Sequence, residues 1–240
     1  IVLLSGESLY GSATTLPKFA KRLEQQHGYR CTTIVREGEH RFPSLDALGQ
    51  ADLVVVFARR MQLPAEQLGQ VKRYVESGKP VIGLRTANHG FIGFEYRVDE
   101  KKARFGEDVL GGSFRGHHGR WHQDSTRGVL VEENRSHPVP TGVEDIWGPS
   151  DVYRTYEEGG GLPEGCVPLV MGQPLMSRSH DDPPNEGLIP LPVAWVKTWT
   201  GNRGEAARVF HSTMGSAKDF ESAGLRRLLF NACYWCLGME

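Results

Sequence analysis

The chain has 240 residues, 28 basic and 29 acidic, for a formal net charge of −1, and 39% of its residues are hydrophobic. That length suits one large α/β domain over residues 1–240, since roughly 100–200 residues per domain is only a soft guide to splitting a chain. Balanced charge supplies no field for nucleic acid or an anionic membrane, and no apolar run approaches the ~20 residues that span a bilayer, so a soluble protein with neither partner is expected.

The chain opens on Ile1, not methionine, and directly on a strand. An N-terminal segment is therefore expected to be removed or to lie outside the sequence, and a cytoplasmic and an exported protein both stay open. Residues 1–4 form a short apolar strand. Thr14 or Thr15 is placed to cap a helix with Pro17 in its first turn and Leu16, Phe19, Ala20 and Leu23 on one face, stopping at Gly28. A second strand runs from Tyr29 to Val35. Residues 51–57 are a continuous apolar run of the kind buried on both faces of a parallel sheet. Pro64 opens a helix carrying Leu68, Val71 and Val75, and Gly78 closes it before the strand at residues 81–84. This alternation predicts a parallel sheet with right-handed crossovers.

From about Phe91 to Glu186 the chain is rich in Gly, Pro, His and charge, with short strand candidates only at 128–131 and 168–171. Such a segment is expected to build a site rather than link domains. Order returns at 193–199 and 208–213, which alternate at period two around Gly201, Asn202, Arg203 and Gly204 and predict an antiparallel hairpin. A final helix from about Ser222 to Leu237 packs on the sheet. It carries Cys233 and Cys236; with Cys31 and Cys166 these are too few and too scattered for a disulfide framework, and they read as core.

The junction after residues 81–84 is the most informative feature. Ligands of open α/β sheets collect outside the carboxyl ends of the strands, and here that position offers Arg85 and, four residues on, His89. No cysteine or serine stands at this elbow, so the usual nucleophile is missing. Glu7 follows the first strand and Arg59 and Arg60 follow the run at 53–57, on the same edge. Arg59, Arg85 and Glu7 together make a site for a carboxylate, phosphate or polyol, because guanidinium forks bind paired oxygens; the alternative is a structural ion pair between Glu7 and one arginine, with Arg60 in solvent.

Histidines form a second constellation. His117, His118 and His122 fall within six residues among glycines, a pattern that suits a divalent metal such as zinc or a proton shuttle. Neither HExxH spacing nor a cysteine partner is present, and Gly119 argues against a helix aligning His118 with His122, so contact between a loop histidine and substrate is the preferred reading. Trp147, Asp151 and Tyr153 bring aromatic faces and a carboxylate of the sort that engages sugars. Asp151 alternatively caps a turn. His211 faces either core or crevice, and residues 180–185 read as a surface loop.

Several motifs in order now carry a resemblance. The segments 192–195 and 208–210, then Met214 and Gly215, and the closing run 228–235 resemble the C-terminal signature of the ThuA-like (trehalose-utilisation) family; 109–117, and His137, Pro138 and Val139 with Gly142 and 151–153, agree with it. The resemblance implies a class I glutamine-amidotransferase-like, flavodoxin-like three-layer α/β sandwich, its central sheet mostly parallel with an antiparallel C-terminal hairpin, and an association with sugar catabolism. The family commonly places histidines where this chain has Arg85 and Ser216, and true amidotransferases place a cysteine at the elbow, so glutamine hydrolysis is not expected. Two readings follow. In one, the protein is an enzyme acting on a sugar or keto-sugar by general acid/base chemistry, with His89, His117 or His118 moving protons, Arg85 orienting the substrate and Glu7 or Asp151 anchoring hydroxyls. In the other, it is a non-catalytic binding module on the same fold. A homo-oligomer through a sheet edge or the final helix is compatible with both.

Overall fold

A computed structural model describes residues 1–98, 101–156, 161–202 and 206–240. The parallel half of its main sheet is built from β1 (Val2–Gly6), β2 (Thr32–Val35), β3 (Val54–Ala58) and β4 (Val81–Leu84). Every residue of β1, β3 and β4 is buried, as uninterrupted apolar runs require when both faces are covered. Two short strands, β5 (Glu95–Val98) and β6 (Lys101–Arg104), pair with each other, and β7 (Gly116–His118) pairs with β10 (Val152–Arg154) as a second ribbon.

The middle segment was expected to be mostly loops with short strands at 128–131 and 168–171; both strands form, and together with a third, unexpected one they join the main sheet. These are β8 (Thr126–Leu130), β9 (Ile146–Gly148) and β11 (Val167–Pro174). With β12 (Leu191–Thr200) and β13 (Ala206–Ser212) they complete a nine-stranded sheet in the order β2-β1-β3-β4-β13-β12-β11-β8-β9. Pairing is parallel from β2 to β13 and antiparallel from there to β9. The β12/β13 pair is the expected hairpin, in a register that joins Ala194 to Ser212; Arg203 and Gly204 of its turn lie outside the described residues.

Helices cover both faces. On one lie α1 (Ser12–His27) and α3 (Ala223–Cys236), sharing a core with Leu3, Val55, Phe57 and Phe210. On the other, α2 (Ala65–Glu76) packs with Phe42, Leu45, Phe91, Phe105 and Leu110. The apolar face of α1 is Leu16, Phe19, Ala20 and Leu23, as its period predicts. Its start differs: Gly11, not Thr14 or Thr15, is the N-cap, in a left-handed conformation with φ 78°, and Pro17 sits inside the helix. In α3, Ser222 caps the helix by accepting from the Leu225 N–H, and Cys233 and Cys236 are buried core thiols. Gly224, in the first turn, packs so closely that a Cβ there would lie 2.0 Å from the Glu144 carbonyl oxygen. That neighbour is backbone and cannot swing away. We predict that Gly224→Ala costs about 1–3 kcal/mol of stability; a urea midpoint equal to that of the parent would refute the close approach.

Candidate functional site

The carboxyl ends of β1, β3, β4 and β13 meet at one edge, and Arg85 is its centre. It occupies the elbow after β4 with φ 47°, a left-handed conformation that a non-glycine residue adopts only when its surroundings enforce it. Its side chain is buried, 1% exposed. Nη1 donates to the carbonyl oxygens of Asp151 and Thr213, both at 2.8 Å, and Nη2 donates to Asp151 Oδ1 at 3.0 Å. The guanidinium carbon stands 3.9 Å from the ring centre of Tyr153 and 5.0 Å from that of Tyr10, and the two phenol oxygens are 3.1 Å apart. Burial raises the Tyr153 phenol above its usual range, against the pull of Arg85.

Asp151 is shared. Its second oxygen, Oδ2, lies 2.5 Å from His117 Nδ1. The antiparallel ribbon makes this possible, since it sets His117 directly across from Tyr153, two residues beyond Asp151. The carboxylate accepts from Nδ1–H, which leaves His117 Nε2 as the nitrogen that can take a proton. The His117 ring is half-buried among Phe114, Tyr153 and Trp121, at ring-centre distances of 5.2, 5.6 and 5.5 Å. Trp121 is itself 53% exposed.

Other expected site residues fall elsewhere. Glu7 is buried, and its carboxylate accepts the backbone N–H groups of Leu9, Tyr10 and Ser12 at 2.6, 2.7 and 2.7 Å. Both oxygens are engaged, so Glu7 shapes the loop that presents Tyr10, and among the described residues it forms no ion pair with an arginine. Arg59 is half-buried and lies outside the cleft that Arg85 lines, and the exposed Arg60 that follows it has φ 48°. His118 projects from β7 opposite to His117, and its Nε2 meets the Ile189 carbonyl at 2.8 Å. His122, with φ 60°, packs edge-on against Trp121 but, unlike these residues, borders the cleft that Arg85 lines. His117, His118 and His122 therefore do not converge, and among the described residues no group of three or more His, Cys, Asp or Glu is arranged to hold a metal ion. Trp147 sits on the edge strand β9, bonded to Ser125 Oγ at 3.3 Å, away from Asp151.

Two histidines are electrostatically silent at neutral pH. His89 follows the elbow turn, with Nδ1 2.7 Å from Asn88 Oδ1. Burial, reinforced by the cations of Arg60, Arg59 and Arg85, lowers its pKa to about 3, so it is a neutral hydrogen-bonding group and a poor base. His211 belongs to the core, fully buried against Trp195 and Leu110; neither ring nitrogen meets hydrogen-bond geometry, and burial lowers its pKa to about 3.

Beside Arg85 and Asp151 opens a cleft of about 320 Å³. Tyr10, His122, Ser150, Ser216, Arg178 and Lys218 complete its polar lining. Beneath it, the buried Asp219 carboxylate accepts from the N–H groups of Gly215, Ser216 and Ser150 at 2.8, 2.9 and 3.2 Å. Sequence reasoning passed over Tyr10, Arg178, Lys218 and Asp219. Only Asp219 left a signal, a carboxylate four residues after the glycine in the turn that follows β13, where it satisfies the N–H groups of that turn.

A doubly covered α/β sheet with a strained elbow after a central parallel strand defines the flavodoxin-like, class I glutamine-amidotransferase-like architecture, here with arginine at the nucleophile's position. The chain belongs to the ThuA, trehalose utilisation, family, whose model matches residues 4–236. Among solved structures it is similar to a ThuA-like protein from Parabacteroides merdae, at 17% identity and TM-score 0.64, covering 98% of this chain and 88% of that one. A ThuA-like protein from Bacteroides uniformis is similar at 14% identity and TM-score 0.62, over 98% and 89%. The fold also matches part of a cold-adapted β-galactosidase from Rahnella, at 12% identity and TM-score 0.53, over all of this chain but 31% of that one. No curated protein matches the sequence. Family membership ties the chain to trehalose utilisation at a coarse level, and among the described residues no helix is long and apolar enough to cross a membrane.

Proposed function

We propose that residues 1–240 act as one catalytic domain on a small polyhydroxylated substrate, a sugar or keto-sugar, by general acid/base chemistry centred on His117. The observation that carries this reading is the Arg85–Asp151–His117 chain, in which a buried cation fixes a carboxylate and the carboxylate orients an imidazole. A base held by an orienting acid is the recurrent arrangement for proton abstraction. His117 Nε2 takes a proton from a substrate carbon or hydroxyl and returns it to the product. Arg85 is the positioning residue for Asp151 rather than the substrate clamp. The exposed ring of Trp121, beside His117, offers an apolar face on which a sugar stacks. The elbow arginine has no nucleophilic chemistry, which argues against a glutaminase thioester route.

His117→Ala is expected to lower kcat/KM by roughly 10²–10⁴ on whichever sugar or keto-sugar is turned over, the usual contribution of a general base, while the melting temperature stays near that of the parent. A parent-like rate in His117→Ala would end this reading. The alternative, a binding module, draws support from the arginine at the elbow. It predicts that polyols raise the melting temperature of both forms with no turnover in either.

A further inference from the structure

The cleft beside Asp151 has an unbalanced charge. Asp151 spends one oxygen on Arg85 and the other on His117, and the Asp219 carboxylate beneath is wholly enclosed by backbone N–H groups. Asp151 is the one carboxylate among the described lining residues, and each of its oxygens already holds a partner. Arg178 and Lys218 are exposed at the cleft, and among the described residues neither has an ion-pair partner. The hydrogen bond of the Arg178 guanidinium is a long one, 3.5 Å to the His122 carbonyl. Ser150 and Ser216 add hydroxyls 2.9 Å apart, and buried Arg85 keeps its Nε without a hydrogen bond. Because the whole chain carries a net charge of only −1, this local excess of cations is not a by-product of a basic protein.

We propose that the cleft is an anion subsite, with Arg178 and Lys218 gripping a carboxylate or phosphate group carried by the polyhydroxylated substrate, so that the substrate class is a sugar acid or a sugar phosphate. The inference rests on the acid/base reading only for the words "substrate" and "polyhydroxylated"; the charge selectivity stands on the cleft itself. Arg178 comes from the loop after β11 and Lys218 from the loop after β13. Two cations on separate segments fit an anionic oxygen group between them, where a guanidinium gives paired donors and an ammonium a point charge. The bound anion then sits beside Asp151, the lining carboxylate that also holds His117.

The test is calorimetric titration of the full chain at low ionic strength with gluconate, glucose 6-phosphate, glucose and inorganic phosphate, repeated on Arg178→Gln and Lys218→Gln. Both side chains are exposed, so the variants are expected to melt as the parent does. The expected result is a sugar anion bound at least about tenfold more tightly than glucose, with roughly tenfold lost in each variant, the scale of one charge-assisted hydrogen bond, and weaker binding as salt is added. Preference between gluconate and glucose 6-phosphate identifies the anion as carboxylate or phosphate. Equal affinity for glucose and both anions, or anion binding indifferent to both substitutions, would overturn the proposal. So would inorganic phosphate bound as tightly as the preferred sugar anion, which marks an adventitious ion only. Charge-selective binding without turnover would support the subsite while removing the catalytic reading; turnover of neutral sugars through His117 would do the reverse.

Discussion

Asp151→Ala is expected to destabilise the protein by about 3–5 kcal/mol, because it leaves the guanidinium of Arg85 buried without its carboxylate. At this chain length that corresponds to a fall of roughly 10 °C in melting temperature. The side chain of Arg85 cannot escape, since the left-handed elbow and the rings of Tyr10 and Tyr153 hold it in place. The same substitution releases His117 Nδ1, so activity falls with stability. A second variant separates the two effects. In Arg85→Met/Asp151→Ala no charge is stranded, and the double variant is expected to recover a substantial part of the lost stability but none of the activity. Asp151→Ala within about 1 kcal/mol of the parent in a urea titration would show that the bridge contributes little.

Acid will unfold the protein earlier than its carboxylates alone require, through His211 and His89. Both are neutral in the folded state, with pKa values lowered to about 3 from an ordinary 6.5. Below 6.5 the unfolded chain binds protons that the folded chain refuses, so stability is complete above that pH and is lost as the pH falls from 6.5 towards 3. Each histidine contributes a slope of about 1.4 kcal/mol per pH unit within that window. His211 is the cleaner probe, because it lies between Trp195 and Leu110 and has no role at the cleft. His211→Leu should flatten the profile by about half of the histidine contribution. Parallel stability curves for parent and variant between pH 7.5 and 4.5 would exclude His211 as a source.

Much of the frame was legible in the residues. The apolar runs of β1, β3 and β4 announce buried parallel strands, Pro64 and Gly78 bracket α2, and the junction at Leu84 and Arg85 locates the site. In the antiparallel extension the strands at 128–131 and 168–171 were legible, but their place in the main sheet was not: β9 has only three residues, and β11 changes register near Val170, which breaks the alternation that marks a strand. Within the site, Asp151 and His117 are 34 residues apart and meet only through the β7/β10 ribbon. Glu7 misled for a local reason: its partners are the main-chain N–H groups of the next few residues, which a list of side chains cannot display. Arg178 and Lys218 sit in loops with no pattern to connect them.

Asp219 ties the segment after β9 to the segment after β13 through a single carboxylate. These two segments of the cleft lining are riveted to each other, and neither can swing without stranding a buried acid. If the cleft takes the proposed ligand, these two segments supply no closing step, and capture is expected to follow single-exponential kinetics with a rate linear in concentration; a rate that saturates with concentration would point to movement elsewhere in the lining.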